Sequence, residues 1–298
     1  MSIRLSLLPV CLAFSLSASA SAAESFRPNL GPDQERITVR CGEITLLFRQ
    51  ASQWTPGRID FRDSPMTTER SAYGTVFSFP EIGFIGTGHL ENEPEPLESV
   101  TFLVDGEQVE TPGPALDAKQ GFRFERESRI RDFHLSGVVE IKNDRLYETA
   151  TVSNDDAVPL KLVYHFMHAW QPTVSAYLAG RDSDAPADLL RGDLRDGDDV
   201  ARRFYVNERV DWIAVFEPES RQFAVSRLLE TPEEGSHVSM IWNVPGTYRK
   251  YYLKCFNNDT VPANFHGTWR MVTGFGRSDP ASWEEKARAL AAELAESN

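Results

Sequence analysis

The sequence predicts an all-β fold of antiparallel strands with one amphipathic helix at its C-terminus. Most of the chain consists of short apolar and aromatic runs that are separated by turn residues. Examples are YGTVFSFPEIGFIG and DWIAVFEPES. Several runs alternate apolar and polar residues, as half-buried strands do. Helical periodicity is nearly absent before the final segment. Because 41% of the 298 residues are hydrophobic, the composition is that of a globular protein and not of a disordered one.

The N-terminal segment predicts a secretory signal peptide over residues 1–23. Arg4 lies in a short n-region, an apolar stretch from Leu5 to Leu16 follows it, and small residues then suit signal peptidase. The apolar stretch falls short of the roughly 20 residues that a transmembrane helix needs. We therefore expect a secreted or periplasmic protein whose mature chain, residues 24–298, forms a single domain.

Turn residues predict several strand pairs in the first two thirds of the mature chain. Asp105-Gly106 separates two extended runs, which is a strong signal for a hairpin. VVEIKNDRLYETATV predicts two strands joined around residues 142–144.

An acidic segment, residues 180–203, carries seven aspartates and predicts a long loop. Four of its carboxylates could bind calcium: Asp193, Asp196, Asp198 and Asp199. Their spacing differs from the ligand ladder of an EF-hand, so a solvated acidic loop is the preferred interpretation.

The final segment, SDPASWEEKARALAAELAESN, predicts the helix. Asp279 would cap it and Pro280 would occupy its first position. The side chains that would form one apolar stripe are Trp283, Ala287, Leu290 and Leu294. Packing over a sheet is the preferred role for such a stripe, and binding of a partner is the alternative.

Cysteine content and net charge limit the partners. Removal of the signal leaves Cys41 and Cys255, which could form one disulfide or remain two buried thiols. Neither has a neighbour at zinc-ligand spacing, and we expect no metal and no cofactor. A net charge of −13, from 44 acidic and 31 basic residues, disfavours nucleic acid and anionic membranes as partners.

The stretch PLKLVYHFMHAWQPT, Pro159 to Thr173, places two histidines three residues apart in an apolar run. In a regular strand, His165 and His168 would face opposite sides. Both faces of such a strand would be apolar, which predicts a strand between two layers. The pattern alone leaves open whether these histidines are core residues or acid–base groups.

The run from Pro159 to Trp170 resembles the galactose mutarotase-like, or aldose 1-epimerase-like, supersandwich superfamily. In that superfamily the histidine that acts on the sugar ring follows a turn proline by six residues, and here this position is His165, followed by Phe166. FIGTGHLENEP is similar to the segment that supplies a second histidine of the sugar cleft, which would be His89. The resemblance implies an antiparallel β-supersandwich that acts on carbohydrate. The late-strand glutamate of the epimerases has no counterpart in TYRKYYLKCFNN, so the general base stays unassigned.

Three functions fit these residues. The first is epimerase-like acid–base chemistry on a sugar ring. The second is β-elimination on a uronic-acid-containing polysaccharide, which needs a base and a group that neutralises the carboxylate. The third is non-catalytic binding of a mono-, oligo- or polysaccharide by stacking and hydrogen bonding. The candidate catalytic residues are His165, His168, His89 and Tyr164, and the candidate substrate-binding residues are Trp170, Gln171, Tyr248, Arg249 and Trp269.

Overall fold

The structure is a computed structural model that describes residues 36–69, 74–87, 89, 92–195 and 204–296. The predicted signal peptide lies outside these residues. Within them, no helix has the length and hydropathy to span a membrane. No group of three or more His, Cys, Asp or Glu side chains in the same part of the chain is arranged to hold a metal ion.

Strands dominate the described chain, and one α-helix ends it. In chain order the elements are β1 (Arg36–Cys41), β2 (Ile44–Arg49), β3 (Pro56–Phe61), β4 (Ser64–Pro65), β5 (Thr75–Phe79), β6 (Gly83–Gly86), β7 (Leu97–Val104), β8 (Glu107–Gln108), β9 (Ala115–Ala118), β10 (Phe122–Ile130), β11 (Phe133–Lys142), β12 (Arg145–Asn154), β13 (Val158–Leu160), β14 (Leu162–Trp170), β15 (Ala176–Gly180), β16 (Leu190–Asp193), β17 (Phe204–Glu208), β18 (Trp212–Glu217), β19 (Gln222–Glu230), β20 (His237–Val244), β21 (Tyr248–Cys255), β22 (Asp259–Val261), β23 (His266–Arg277) and α1 (Trp283–Ala295).

Three sheets and one short strand pair organise these strands. The largest sheet has ten strands in the order β16-β15-β18-β19-β23-β12-β11-β10-β7-β8. A five-stranded sheet has the order β4-β3-β2-β1-β9, and a six-stranded sheet has the order β17-β20-β21-β14-β5-β6. β13 pairs with β22 separately. Nearly all neighbours are antiparallel, as the sequence predicts, although β1 and β9 run parallel.

The five-stranded and six-stranded sheets pack side by side on one face of the ten-stranded sheet. In β12, Leu146 belongs to the core beneath the five-stranded sheet, whereas Ala150 belongs to the core beneath the six-stranded sheet. These two residues are four apart and therefore share a face of the sheet. We call the two apolar regions the first core and the second core, in that order. Glu148 lies between them on the same face.

The helix α1 covers the opposite face of the ten-stranded sheet. Trp283, Ala287, Ala291 and Leu294 are buried, and Trp283 stacks on Phe216 with ring centroids 5.2 Å apart. The predicted packing of this helix on a sheet is confirmed. The helix begins at Trp283 rather than at Pro280, because residues 280–282 form a turn in which the Ser282 amide bonds to the Asp279 carbonyl at 3.0 Å.

Both predicted hairpins are present. β7 and β8 pair across Asp105-Gly106, and β11 pairs with β12 across Asn143 and Asp144, which both have positive φ. The prediction of one long loop over residues 180–203 is wrong in part, because Leu190–Asp193 pairs with β15 as a strand. Of the four candidate calcium ligands, Asp193 ends that strand, and the other three lie outside the described residues.

A β-bulge in β14 changes the predicted orientation of its histidines. Phe166 has φ of +56° and the register with β21 shifts between His165 and His168. The extra residue reverses the alternation, as bulges do. The prediction that the two histidines face opposite sides is therefore wrong: the His165 ring contacts Trp269 and the His168 ring contacts Glu148, both on the ten-stranded sheet.

The two described cysteines are separate buried thiols. Cys41 lies in the first core, where its sulfur is 3.8 Å from the Ile141 carbonyl oxygen, and Cys255 lies in the second core. Burial raises the pKa of both thiols. Of the two possibilities that the sequence leaves open, the structure shows the unpaired one.

Candidate functional site

His165 lies inside the second core. Its ring is fully buried, and its centroid is 4.2 Å from that of Trp269. Nδ1 shares a hydrogen bond of 3.0 Å with the Thr75 hydroxyl. Burial lowers the pKa of His165 to about 3, so the ring is neutral at physiological pH. A sealed, neutral imidazole of this kind packs the core and cannot reach a sugar without rearrangement.

His168 forms a polar bridge between two sheets. Its Nε2 is 2.8 Å from the Glu148 carboxylate on β12, and the His168 side chain is 2% exposed. The ring lies edge-on to Trp170 at 5.0 Å between centroids. Glu148 was not predicted from the sequence, since it precedes the histidines by about twenty residues and lies on a different sheet.

A cavity opens beside this bridge, at the seam between the first and second cores. Besides His168 and Glu148, its lining includes Arg126, Thr149 and Thr75. Arg126 is itself committed to a buried ion pair with Glu95, at 2.7 Å. The cavity volume is about 60 Å³, which is room for about four water molecules and well below the roughly 300–1,000 Å³ of ordinary small-molecule pockets. The seam cavity therefore does not provide a sugar site in this conformation.

A second group of polar and aromatic side chains lies on the outer face of the six-stranded sheet, which points away from the second core. Two of its members, Tyr164 and Tyr252, are buried in a further apolar cluster on that face. We define the outer-face cluster as His89, Tyr164, Trp242, Lys250 and Tyr252. His89 Nε2 and the Tyr164 hydroxyl share a hydrogen bond of 2.9 Å. The ammonium of Lys250 lies 4.5 Å from the ring centroid of Tyr164 and 4.8 Å from that of Tyr252. It also lies 5.9 Å from the ring of Trp242.

Strand alternation brings the outer-face cluster together. On β21, Arg249, Tyr251 and Leu253 point towards the second core, so Lys250 and Tyr252 point outwards. Tyr164 precedes the bulge on β14 and shares their face, whereas His165 is turned inwards. His89 reaches this face because it forms a bridge to Gly86, at the end of β6.

Burial shapes the ionisation of the outer-face cluster. Lys250 is 9% exposed and Tyr252 is 8% exposed. Burial lowers the pKa of Lys250 to about 8 and raises the pKa of Tyr252 to about 12. At neutral pH the cluster therefore holds a cation that contacts the electron-rich faces of aromatic rings.

The predicted site residues fall into separate places. His89 and Tyr164 meet on the outer face, and Tyr248 is half-buried beside them. His165 and Trp269 meet inside the second core, as do His168 and Trp170. Arg249 is buried and donates to Asn243 and to the Val174 carbonyl. Gln171 donates to the Thr67 carbonyl at 2.9 Å.

Sequence reasoning missed Lys250, although a signal for it was present. YRKYYLK alternates, so Tyr248, Lys250 and Tyr252 share one face of the strand. Trp242 lies directly opposite Lys250 on the neighbouring strand β20. Trp242 can be recognised as a neighbour of Lys250 only once the pairing of β20 with β21 is known.

Comparison with known proteins gives a fold and no family. No protein-family model matches the chain, and no curated protein matches it. The chain is similar to the solved structure of the Slr1438 protein of Synechocystis sp. PCC 6803, with 9% identity and a TM-score of 0.51, over 83% of this chain and 98% of that one.

Two further structures are similar. One is a putative aldose 1-epimerase of Escherichia coli K12, with 10% identity and a TM-score of 0.45, over 82% of this chain and 99% of that one. The other is the alpha-N-acetylgalactosaminidase NagBb of Bifidobacterium bifidum in complex with GalNAc, with 7% identity and a TM-score of 0.52, over 87% of this chain and 39% of that one. With the strand content and sheet order above, the similarities to Slr1438 and NagBb confirm the predicted all-β supersandwich as the fold.

Proposed function

We propose that this protein binds carbohydrate on the outer face of its six-stranded sheet, through the outer-face cluster. The observation that carries the proposal is the half-buried ring of Trp242, which lies 5.9 Å from the Lys250 ammonium. Tyr164 is itself buried beneath this surface, where it contacts His89 at 2.9 Å and Lys250 at 4.5 Å and so positions both. Aromatic faces pack against the apolar C–H faces of pyranose rings, and a few polar groups then fix the hydroxyls.

Three further points support carbohydrate as the ligand class. The outer-face cluster combines rings with hydrogen-bonding groups, whereas the seam cavity is too small. A domain of this fold forms part of a protein named as an alpha-N-acetylgalactosaminidase, whose structure contains GalNAc. The predicted signal peptide would deliver the protein to compartments where glycans are met.

A second candidate function, β-elimination on a uronate-containing glycan, is favoured by one feature of the same site. Elimination needs a base that removes the proton beside the carboxylate and a cation that neutralises the charge that develops there. Tyr164 would pass its phenolic proton to His89 and then remove the proton beside the carboxylate, whose charge Lys250 would neutralise. As the C=C bond forms and the glycosidic C–O bond breaks, Tyr164 would return a proton to the departing oxygen. His165 has no part in this mechanism because its ring is sealed.

The test is binding to a glycan array, followed by two turnover assays on purified protein. Mutarotation of common aldoses tests epimerase chemistry, and ultraviolet absorbance of unsaturated products tests elimination. We expect the protein to bind glycan. Each of two substitutions, Tyr164→Phe and Lys250→Met, should lower the affinity by about tenfold or more, corresponding to about 1.4 kcal/mol. Tyr147→Phe, on the face that α1 covers, is the matched control and should bind like the unmodified protein.

The outcomes separate the candidate functions. Binding without turnover supports a carbohydrate-binding protein. Absorbance growth that Tyr164→Phe abolishes supports the lyase. Absence of binding to every glycan, or binding that both cluster variants leave unchanged, contradicts the proposal.

A further inference from the structure

The two most exposed large apolar side chains of the described chain lie on the face that carries the outer-face cluster. Phe84 is 38% exposed and Phe204 is 44% exposed. Phe84 stacks on His89 with ring centroids 5.3 Å apart, and Phe204 lies directly opposite Trp242 in the ladder of β17 and β20. Single exposed apolar residues are normal, and a contact surface is indicated only where such residues are connected.

Phe84 and Phe204 lie on the two edge strands of the six-stranded sheet, β6 and β17. Five strand-to-strand steps separate these strands, which gives a distance of about 24 Å at the usual strand spacing. A single hexose is much narrower than this distance, so one sugar ring could not contact both phenylalanines.

A continuous row of side chains joins the two edges. We define the transverse row as Phe204, Trp242, Lys250, Tyr164 and Phe84. Successive members contact one another: Phe204 and Trp242 have centroids 6.4 Å apart, Lys250 lies over both Trp242 and Tyr164, and Tyr164 and Phe84 have centroids 6.2 Å apart. The row crosses the strands, and its ends are exposed while its middle is buried.

We propose that the ligand of the outer face is a glycan chain of several linked sugars that lies across the strands, along the transverse row from Phe84 to Phe204. This inference rests on the proposed function and names its ligand class: an oligo- or polysaccharide, and not a monosaccharide. The half-buried Trp242 contacts one sugar unit, the buried Lys250 and Tyr164 support the row from beneath, and the two phenylalanines provide outer subsites at which further pyranose faces stack.

The test compares chain lengths in two series, β-1,4-linked galactose oligomers and α-1,4-linked galacturonate oligomers, each from monomer to hexamer. Isothermal titration measures the affinity of the unmodified protein, Phe84→Ala, Phe204→Ala and the double variant. In at least one series, affinity should rise with length by tenfold or more between monomer and hexamer. Phe204→Ala should lower hexamer affinity by roughly tenfold and leave monomer affinity unchanged, since one stacked ring contributes about that factor.

Two controls keep the variants interpretable. Phe204→Leu retains apolar volume but removes the flat ring, so it should lose most of the gain with length. Glu107→Ala, on the edge strand β8 of the ten-stranded sheet, should bind every length as the unmodified protein does.

The possible failures are distinguishable. Equal affinity for monomer and hexamer, or a length dependence that neither phenylalanine variant changes, overturns the extended site and leaves the proposed carbohydrate binding intact. Absence of binding to every length in both series counts against both proposals. A dimer in sedimentation that Phe204→Ala dissociates would assign the exposed rings to self-association and would also overturn the extended site.

Discussion

At the scale of single residues, the outer-face cluster predicts an unusual pH response for Lys250. Burial lowers its pKa from 10.5 to about 8, so between these values the unfolded chain binds a proton that the folded chain does not. Stability therefore rises with pH across this window, because deprotonation relieves the cost of burying the charge. Lys250→Met removes the titration, and its free energy of unfolding should lose this rise.

The measurement is chemical unfolding of both proteins at a series of pH values from 7 to 11. Between about pH 8 and 10.5, the free energy of unfolding of the unmodified protein should increase relative to that of Lys250→Met, because the folded and unfolded chains differ in proton affinity there. A constant difference between the two proteins across this window would show that the ammonium is hydrated in the folded state.

His165 gives a second prediction, in which stability again rises with pH but over an acidic range. Its pKa falls from 6.5 to about 3 in the folded protein, so the unfolded chain takes up the proton first as pH falls. Stability that is present above pH 6.5 is lost progressively towards pH 3. His165→Leu should lack this component, and histidine resonances followed by NMR should show one ring that does not titrate between pH 5 and 8.

Replacement of His165 also tests whether its role is structural. His165→Ala removes the contact with Trp269 and leaves a cavity in the second core, so it should lower the free energy of unfolding by about 2–4 kcal/mol. Glycan binding by the fraction that remains folded should be unchanged. Loss of binding without loss of stability would instead assign His165 a functional role.

The candidate site was only partly predictable from individual residues. The resemblance on which His89 was selected led to a residue that meets Tyr164 on the outer face. The same resemblance selected His165, and its burial could not be read from the sequence because the orientation of β14 depends on one bulged residue. Glu148 and Trp242 required the packing of other strands before their neighbours were known.

At the scale of elements, the bulge at Phe166 predicts that a glycine substitution is less destabilising than an alanine substitution, which reverses the usual order in a strand. Phe166 has φ of +56°, a left-handed conformation that costs a non-glycine residue about 1 kcal/mol. Phe166→Ala and Phe166→Gly both remove the ring from the second core, but only glycine adopts this conformation without strain. Urea unfolding should therefore find Phe166→Gly more stable than Phe166→Ala by about 1 kcal/mol, whereas glycine normally weakens a strand. The usual order at this position would show that the bulge relaxes in the variants.

Elements differ in how clearly the sequence indicates them. Asp105-Gly106 and the turn around Asn143 mark hairpins because their backbone conformations restrict residue choice. The stripe of α1 was equally clear, since only a helix places Trp283, Ala287 and Leu294 on one side. The bulge had no such signal, because phenylalanine is uncommon at positive φ and only the surrounding packing holds it there.

At the scale of the whole molecule, the shared ten-stranded sheet predicts that the two cores unfold together. β11 supplies Leu135 to the second core and Val139 to the first, and β12 divides its side chains in the same way. Loss of either core would expose one face of strands that the other core still needs. The single domain over residues 24–298 stays a prediction, and equilibrium unfolding tests whether the two cores form one cooperative unit.

Urea unfolding followed by far-ultraviolet circular dichroism and by tryptophan fluorescence should give coincident transitions. Phe48→Ala weakens the first core and Ile241→Ala weakens the second, each by about 2–5 kcal/mol. Because the cores share strands, each variant should shift both signals by the same amount. If Phe48→Ala moved one transition and left the other in place, the two side-by-side sheets would be separate folding units. The outer face could then form without the five-stranded sheet, and the seam cavity would be a boundary between domains.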